Sequence, residues 1–163
     1  MRVIVLTIML SLLPAIDVTS LTETPVTEQA WLDILRKSDF SVENLHRYLE
    51  LREAPSRFTI ISQFALETGW FNSRLFKDGN NLAGMKVPSR RETTATGSVY
   101  GYASYNHWTD SVDDFLLWLE YHSLGENYVE YLKRGSYAED PHYYQKIMNI
   151  RKRIKDENVR QVR

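Results

Sequence analysis

The helical periodicity of this chain is interrupted once, near its middle, and that interruption limits the possible folds more than any other feature. Before it, Phe58, Ile61, Phe64, Ala65 and Thr68 recur at the spacing of one helix, which Pro55 and Ser56 open and Gly69 stops. After it, Val112, Phe115, Leu116 and Leu119 share the face of a second helix. Asp110 or Ser111 is its expected cap, with Asp113 and Asp114 as solvated first-turn charge and Trp108 in the core. From 77 to 105 the pattern changes. Asp78-Gly79-Asn80-Asn81 reads as a turn, and the Thr-rich run from Thr93 to Thr96 belongs to a short hairpin or an ordered loop.

The flanks add only helix. Trp31, Ile34 and Leu35 form one apolar stripe, and Leu45, Tyr48 and Leu49 form another that Ser41 caps. A helix is expected over about 126–133, ended by Gly135, and a last one opens at Pro141 and runs through Ile147 and Ile150 into a charged tail. The fold class is therefore mainly α (α+β), helices with one small β-containing insertion. With 163 residues, 43% of them hydrophobic, the chain can bury one core rather than two.

Met1 and Arg2 precede an apolar run from Val3 to Ile16, shorter than the ~20 residues a spanning helix needs, and Val18-Thr19-Ser20 offers a small-residue cleavage site. Residues 1–20 thus read as a signal peptide, with an uncleaved anchor as the alternative, and 21–163 as a single domain. An exported protein, periplasmic or extracellular, is expected. A formal charge of -1 gives no basis for a nucleic-acid footprint or a polybasic membrane anchor. The absence of cysteine excludes thiol nucleophiles and thiolate metal sites. His107, Asp110, Asp113 and Asp114 lack the spacing of a metal site, and no phosphate-binding glycine loop or GxSxG elbow occurs, so no cofactor is expected.

Glu67 sits among Phe64, Ala65, Leu66, Trp70 and Phe71. A carboxyl held against apolar groups keeps its proton to higher pH, as a general acid must if it is to protonate a departing glycosidic oxygen. Most glutamates near a helix end merely face solvent, and on this segment alone that plainer reading is the one to take.

Four segments in order do more: FALETGWFNSRLF, DGNNLAGMK, GYASYNHWTDSVDDF and GSYAEDPHYYQKI. Together they resemble the bacterial N-acetylglucosaminidase domain of glycoside hydrolase family 73, found in autolysins and flagellar muralytic domains, most strongly over 55–150. The resemblance implies a lysozyme-like fold, with a cleft between a helical lobe and a small β-containing lobe, and cleavage between N-acetylglucosamine and N-acetylmuramic acid. It implies that Glu67 is the acid, and that Asn80, Asn81, Leu82, Gly84 and Lys86 match a turn at the cleft. Ala83 stands where an aromatic is usual and Phe71 where a small residue is common. Tyr143 and Tyr105 match family aromatics and are candidates for sugar contact, as is Trp70.

The second catalytic group is Glu92, in SRRETTATG, or the substrate's own N-acetyl group. A surface pairing of Glu92 with Arg90 or Arg91 is the plainer reading of that residue. The implied partner is the peptidoglycan glycan strand. No obligate protein partner is called for, and a monomer is expected. A muramidase or lytic transglycosylase is the enzymatic alternative, and an inactive glycan-binding cell-wall protein the alternative of another class.

Overall fold

A computed structural model describes residues 26–135 and 137–161, with side chains as far as Asp156. The segment read as a signal peptide lies outside the described residues. In chain order the elements are α1 (Glu28–Leu35), α2 (Val42–Leu51), α3 (Arg57–Glu67), α4 (Arg74–Gly79), β1 (Gly97–Val99), β2 (Tyr102–Ser104), α5 (Trp108–Tyr121), α6 (Tyr128–Lys133) and α7 (Tyr143–Gln161). A single 3-10 turn, Gly125–Asn127, leads into α6. The protein is mainly α with one small antiparallel sheet, the lysozyme-like arrangement that the motifs imply.

Helix α3 is the centre. Every residue from Thr59 to Ala65 is buried, so the helix is covered all round and not along one apolar stripe alone. The long helix α7 supplies most of that cover through Ile147 and Ile154, and α2 lies on another side with Leu45, Tyr48 and Leu49 fully buried. Phe115 of α5 meets Phe64 edge-on with ring centroids 5.1 Å apart, so the two helices flanking the break in periodicity are packed together in the core.

Phe71, the bulky residue after Trp70, is absorbed into this core. Phe40 lies 4.9 Å from it, 4.8 Å from Phe76 and 5.8 Å from Trp108, centroid to centroid. Trp108 is itself buried, and its indole N–H donates to the Ser38 carbonyl.

The start of α5 differs from expectation. Its N-cap is His107, whose Nδ1 accepts from the Thr109 N–H while the Asp110 carboxylate accepts from the His107 N–H. Asp110 is thus the third helical residue of a capping box and not the cap. Nor are the two aspartates solvated first-turn charge. Asp113 accepts the Tyr48 hydroxyl and pairs with Arg52 at 2.9 Å, tying α5 to α2. Asp114 is wholly buried. Arg91 grips its two oxygens at 2.8 and 3.1 Å, and the Tyr105 hydroxyl donates to it at 2.8 Å.

The segment from 77 to 105 is an ordered loop and a hairpin together. Asp78 and Gly79 end α4, and Asn80 takes the left-handed conformation just beyond it, where asparagine is tolerated. Strands β1 and β2 pair Gly97 with Ser104 and Val99 with Tyr102. The Thr-rich run is not itself a strand. It is fastened down by side chains: the Thr94 hydroxyl donates to the Asp110 carbonyl, and the Arg91 guanidinium next to it holds Asp114.

Burial of the Asp114 carboxyl by itself raises its pKa, but the hydrogen bonds from Arg91, Thr93 and Tyr105 outweigh burial and leave it below the usual carboxylate range. A group depressed in the folded state contributes stability that is present above its unfolded pKa and lost as pH falls through its folded one. Acid unfolding is therefore expected to begin below about pH 4. Asp114→Ala, which strands a buried guanidinium, is expected to cost about 3–5 kcal/mol. Urea unfolding at pH 7 checks the cost, and the same series repeated at lower pH should show the gap between variant and wild type narrowing.

Candidate active site

The last residue of α3 is Glu67. It is open to solvent on one side, yet enough protein surrounds its carboxyl for lost hydration to raise its pKa, and the hydrogen bond from Tyr143, which favours the ionised form, offsets only part of that rise. A helix C-terminus carries partial negative charge, which also disfavours a carboxylate there. A carboxyl both reachable and reluctant to ionise is suited to giving up a proton to a bound substrate.

Tyr143, the first residue of α7, donates its hydroxyl to Glu67 Oε1. Its ring is buried and lies nearly parallel to that of Tyr137, centroids 5.4 Å apart. Tyr137 in turn donates to the Ala83 carbonyl at 3.4 Å. Desolvation first, then the neighbouring Glu67 charge, pushes both phenols well above their ordinary range, so they act as neutral donors. The fully buried Gln63, one helical turn before Glu67, lies beside Tyr137.

The other side of the carboxyl is formed by backbone. Gly84 has φ +63°, and a Cβ placed there would sit 3.7 Å from Glu67 Oε2. The φ angle is what calls for glycine at this point, since it adopts the left-handed conformation freely; a Cβ here would make only ordinary contact with Oε2. Asn81 holds this turn in place. Its Nδ2 donates to the carbonyls of Met85 and Ala103 at 2.9 and 2.8 Å, and its Oδ1 accepts from the Met85 N–H. One buried amide thereby closes 81–85 on itself and joins it to β2. Asn80 does similar work one residue earlier, donating to the carbonyls of Tyr105 and Asn106.

Beyond Gly84 and Tyr137 opens a cleft of about 440 Å³, lined also by Lys86, Arg90, Trp118 and Tyr131. Trp118, Tyr121 and His122 reach it from one face of α5.

Of the residues singled out in the sequence, the fold thus joins Glu67 and Tyr143 directly. Asn80 and Asn81 border the site, each with its Nδ2 bonded to two backbone carbonyls. Tyr105 is buried, and its hydroxyl belongs to Asp114. Trp70 is 46% exposed, with the Arg153 guanidinium 4.7 Å from the centre of its ring. Glu92 is exposed, and Arg91 bonds to its backbone carbonyl while pairing with Asp114. The expected surface pairing of Glu92 with an arginine is replaced by that arrangement. Among the described residues no group of three or more His, Asp or Glu side chains is placed to hold a metal ion.

Several residues of the site carried no assigned role in the sequence. The spacing of Trp118, Tyr121 and His122 signals a shared helix face, whereas nothing local to Tyr137 or Gln63 marks them, since their role arises only when α3, α7 and the 81–85 turn meet.

Protein bax of Escherichia coli (strain K12) is 36% identical over 63 residues, which are 39% of this chain and 23% of bax, so the chain matches only about a quarter of that relative's length. No solved structure matches. The model of the glucosaminidase family, described as mannosyl-glycoprotein endo-beta-N-acetylglucosaminidase, matches residues 48–156, a span from α2 through most of α7 that contains Glu67, the 81–85 turn and Tyr143. The chain belongs to the glucosaminidase family.

Proposed function

We propose that this protein is an exported cell-wall hydrolase that cleaves the β-1,4 bond between N-acetylglucosamine and N-acetylmuramic acid, with Glu67 as the general acid. The observation that carries the reading is the setting of Glu67: a solvent-reachable carboxyl with a raised pKa, bonded through Oε1 to Tyr143 and open at Oε2 beside Gly84. Export rests on the apolar leader read in residues 1–20.

With Tyr143 donating to Oε1, the acidic proton belongs on Oε2, the oxygen that faces the glycine backbone. Transfer of that proton to the glycosidic oxygen accompanies breaking of the bond from that oxygen to C1. The sugar is left with oxocarbenium character and Glu67 as carboxylate. Tyr143 then stabilises the new negative charge without supplying a proton of its own. Water completes the reaction at C1 and its proton must be removed. Glu92 is the candidate base, an exposed carboxylate on a loop pinned by Arg91. If the acetamido group of the substrate attacks C1 instead, no second protein carboxylate is needed.

Glu67→Gln keeps the shape of the side chain and removes its acidity. Purified protein is expected to clear a peptidoglycan zymogram, and the variant is not; equal clearing by both excludes the proposed acid. Mass spectrometry of the digest is expected to show reducing N-acetylglucosamine ends, whereas anhydro-muramic ends would point to a lytic transglycosylase.

The pH dependence has a definite sign. Activity requires protonated Glu67, so it falls on the alkaline side as the carboxyl ionises. The Tyr143 hydrogen bond lowers the pKa of Glu67, so Tyr143→Phe is expected to move the alkaline limb of the kcat/KM profile upward. A limb that stays put or moves down contradicts the hydrogen bond's assigned effect. Glu92→Gln is expected to lower kcat by roughly a hundredfold or more with KM nearly unchanged, as loss of a general base does. Near-normal turnover in steady-state assays assigns that role to the substrate.

A further inference from the structure

The cleft beside Glu67 has an aromatic wall and a cationic one. Trp118 and Tyr121 come from α5, and Tyr131 from α6. Facing them, the segment after Gly84 brings Lys86, Arg90 and Arg91, and no acidic side chain lines the cleft. For a chain whose 20 basic and 21 acidic residues nearly balance, this is a local excess of positive charge in a cleft that meets Glu67 across Gly84.

The three cations are not equivalent. Arg91 is spent inside the fold, with its side chain 6% exposed and bidentate on Asp114. That pair fixes the loop and leaves the preceding residue, Arg90, presented to solvent with no ion pair among the described residues. Lys86 is exposed as well, its ammonium 5.9 Å from the centre of the Tyr102 ring and unpaired with any carboxylate among the described residues. Two un-neutralised cations thus stand at the edge of a cleft whose other wall suits the apolar face of a sugar.

A neutral sugar gains nothing from that charge. In peptidoglycan only the muramyl residue has an acidic substituent, a lactyl ether that ends either in a free carboxylate or in a stem peptide bearing carboxylates. The geometry points to this cleft as the subsite for the muramyl residue, with its sugar ring against Trp118 and Tyr131 and the carboxylate of its substituent bound by Arg90 and Lys86. The assignment rests on the proposed action on peptidoglycan and deepens it, because it names the group by which the enzyme distinguishes the two alternating sugars. Arginine suits the task through its planar, bidentate fit to a carboxylate, and lysine contributes a mobile second charge.

The test is the double variant Arg90→Gln, Lys86→Gln in the full chain. Both side chains are exposed, so its thermal unfolding is expected to match the wild type. On intact peptidoglycan KM is expected to rise roughly tenfold or more, the scale of a lost charge-assisted hydrogen bond, with kcat within about twofold. When the carboxylates of the polymer are converted to amides, the gap between variant and wild type is expected to close. Strands stripped of peptide by an amidase carry only the lactyl carboxylate. Dependence on Arg90 and Lys86 that survives stripping shows that the two cations bind the lactyl carboxylate the amidase frees, and dependence lost on stripping assigns the carboxylates of the stem peptide. The two cations are also expected to strengthen co-sedimentation of Glu67→Gln protein with insoluble peptidoglycan, a readout that needs no turnover. Equal KM and equal co-sedimentation with and without the two cations overturn the subsite. Failure of the catalytic reading shows separately, as clearing by Glu67→Gln itself.

Discussion

Asp114 is a carboxylate taken wholly out of water on α5, and the lobe that faces α3 is organised around satisfying it. An unpaired ion in that position would be prohibitive, so its partners are structural necessities. Arg91 arrives from the loop, Tyr105 from the end of the hairpin and Thr93 from the Thr-rich run. One buried charge thereby gathers a stretch that has little regular structure and few large apolar groups. A loop of this composition has no apolar face by which to dock, and polar anchoring takes the place of hydrophobic packing.

The same economy applies nearer the site. Asn81 replaces missing strand pairing with its own amide, bonding to both Met85 and Ala103, and the Leu82 N–H finds the Ser111 hydroxyl. These bonds fix the height of the 81–85 turn above α3, and so determine that it is Gly84 that meets Glu67. The position of the acid is thus set by helix packing on one side and by side-chain hydrogen bonds on the other. A substitution in the turn is felt at the carboxyl without touching it.

The helical half of the molecule was legible in the sequence because periodicity reports burial directly. Leu45, Tyr48 and Leu49 and the α3 stripe occupy the core as their spacing implies. The polar half was legible only in outline. Asp114 read as solvated charge because acidic residues in a first turn usually are, and the residue that overrides that habit, Arg91, lies 23 positions away. Even so, Ser111, Asp114 and Trp118 share helical spacing, and all three have partners on neighbouring elements. Tyr105 was misplaced for the same reason: its motif position marks it as important, and only the fold shows that its hydroxyl faces inward. Glu67 became readable through motif order, whereas Tyr137 had no signal of its own, because its place depends on α3, α7 and a loop meeting in space.

The acid's exposure and its raised pKa follow from a single placement. A carboxyl in mid-helix on α3 would be buried among Phe64, Ile60 and Ile61, reluctant to ionise but unreachable. One on the loop beyond Gly69 would be reachable but well hydrated, and too acidic to keep a proton. The final residue of the central helix has both properties. The helix end gives access and an unfavourable dipole for negative charge, while α7 and the 81–85 turn remove part of the water. Tyr143 then moderates what burial does, holding one oxygen so that the ionised form of Glu67 is not left unsolvated. Glu67 therefore sits at the boundary between core and solvent, the setting that the proposed role of proton donor requires.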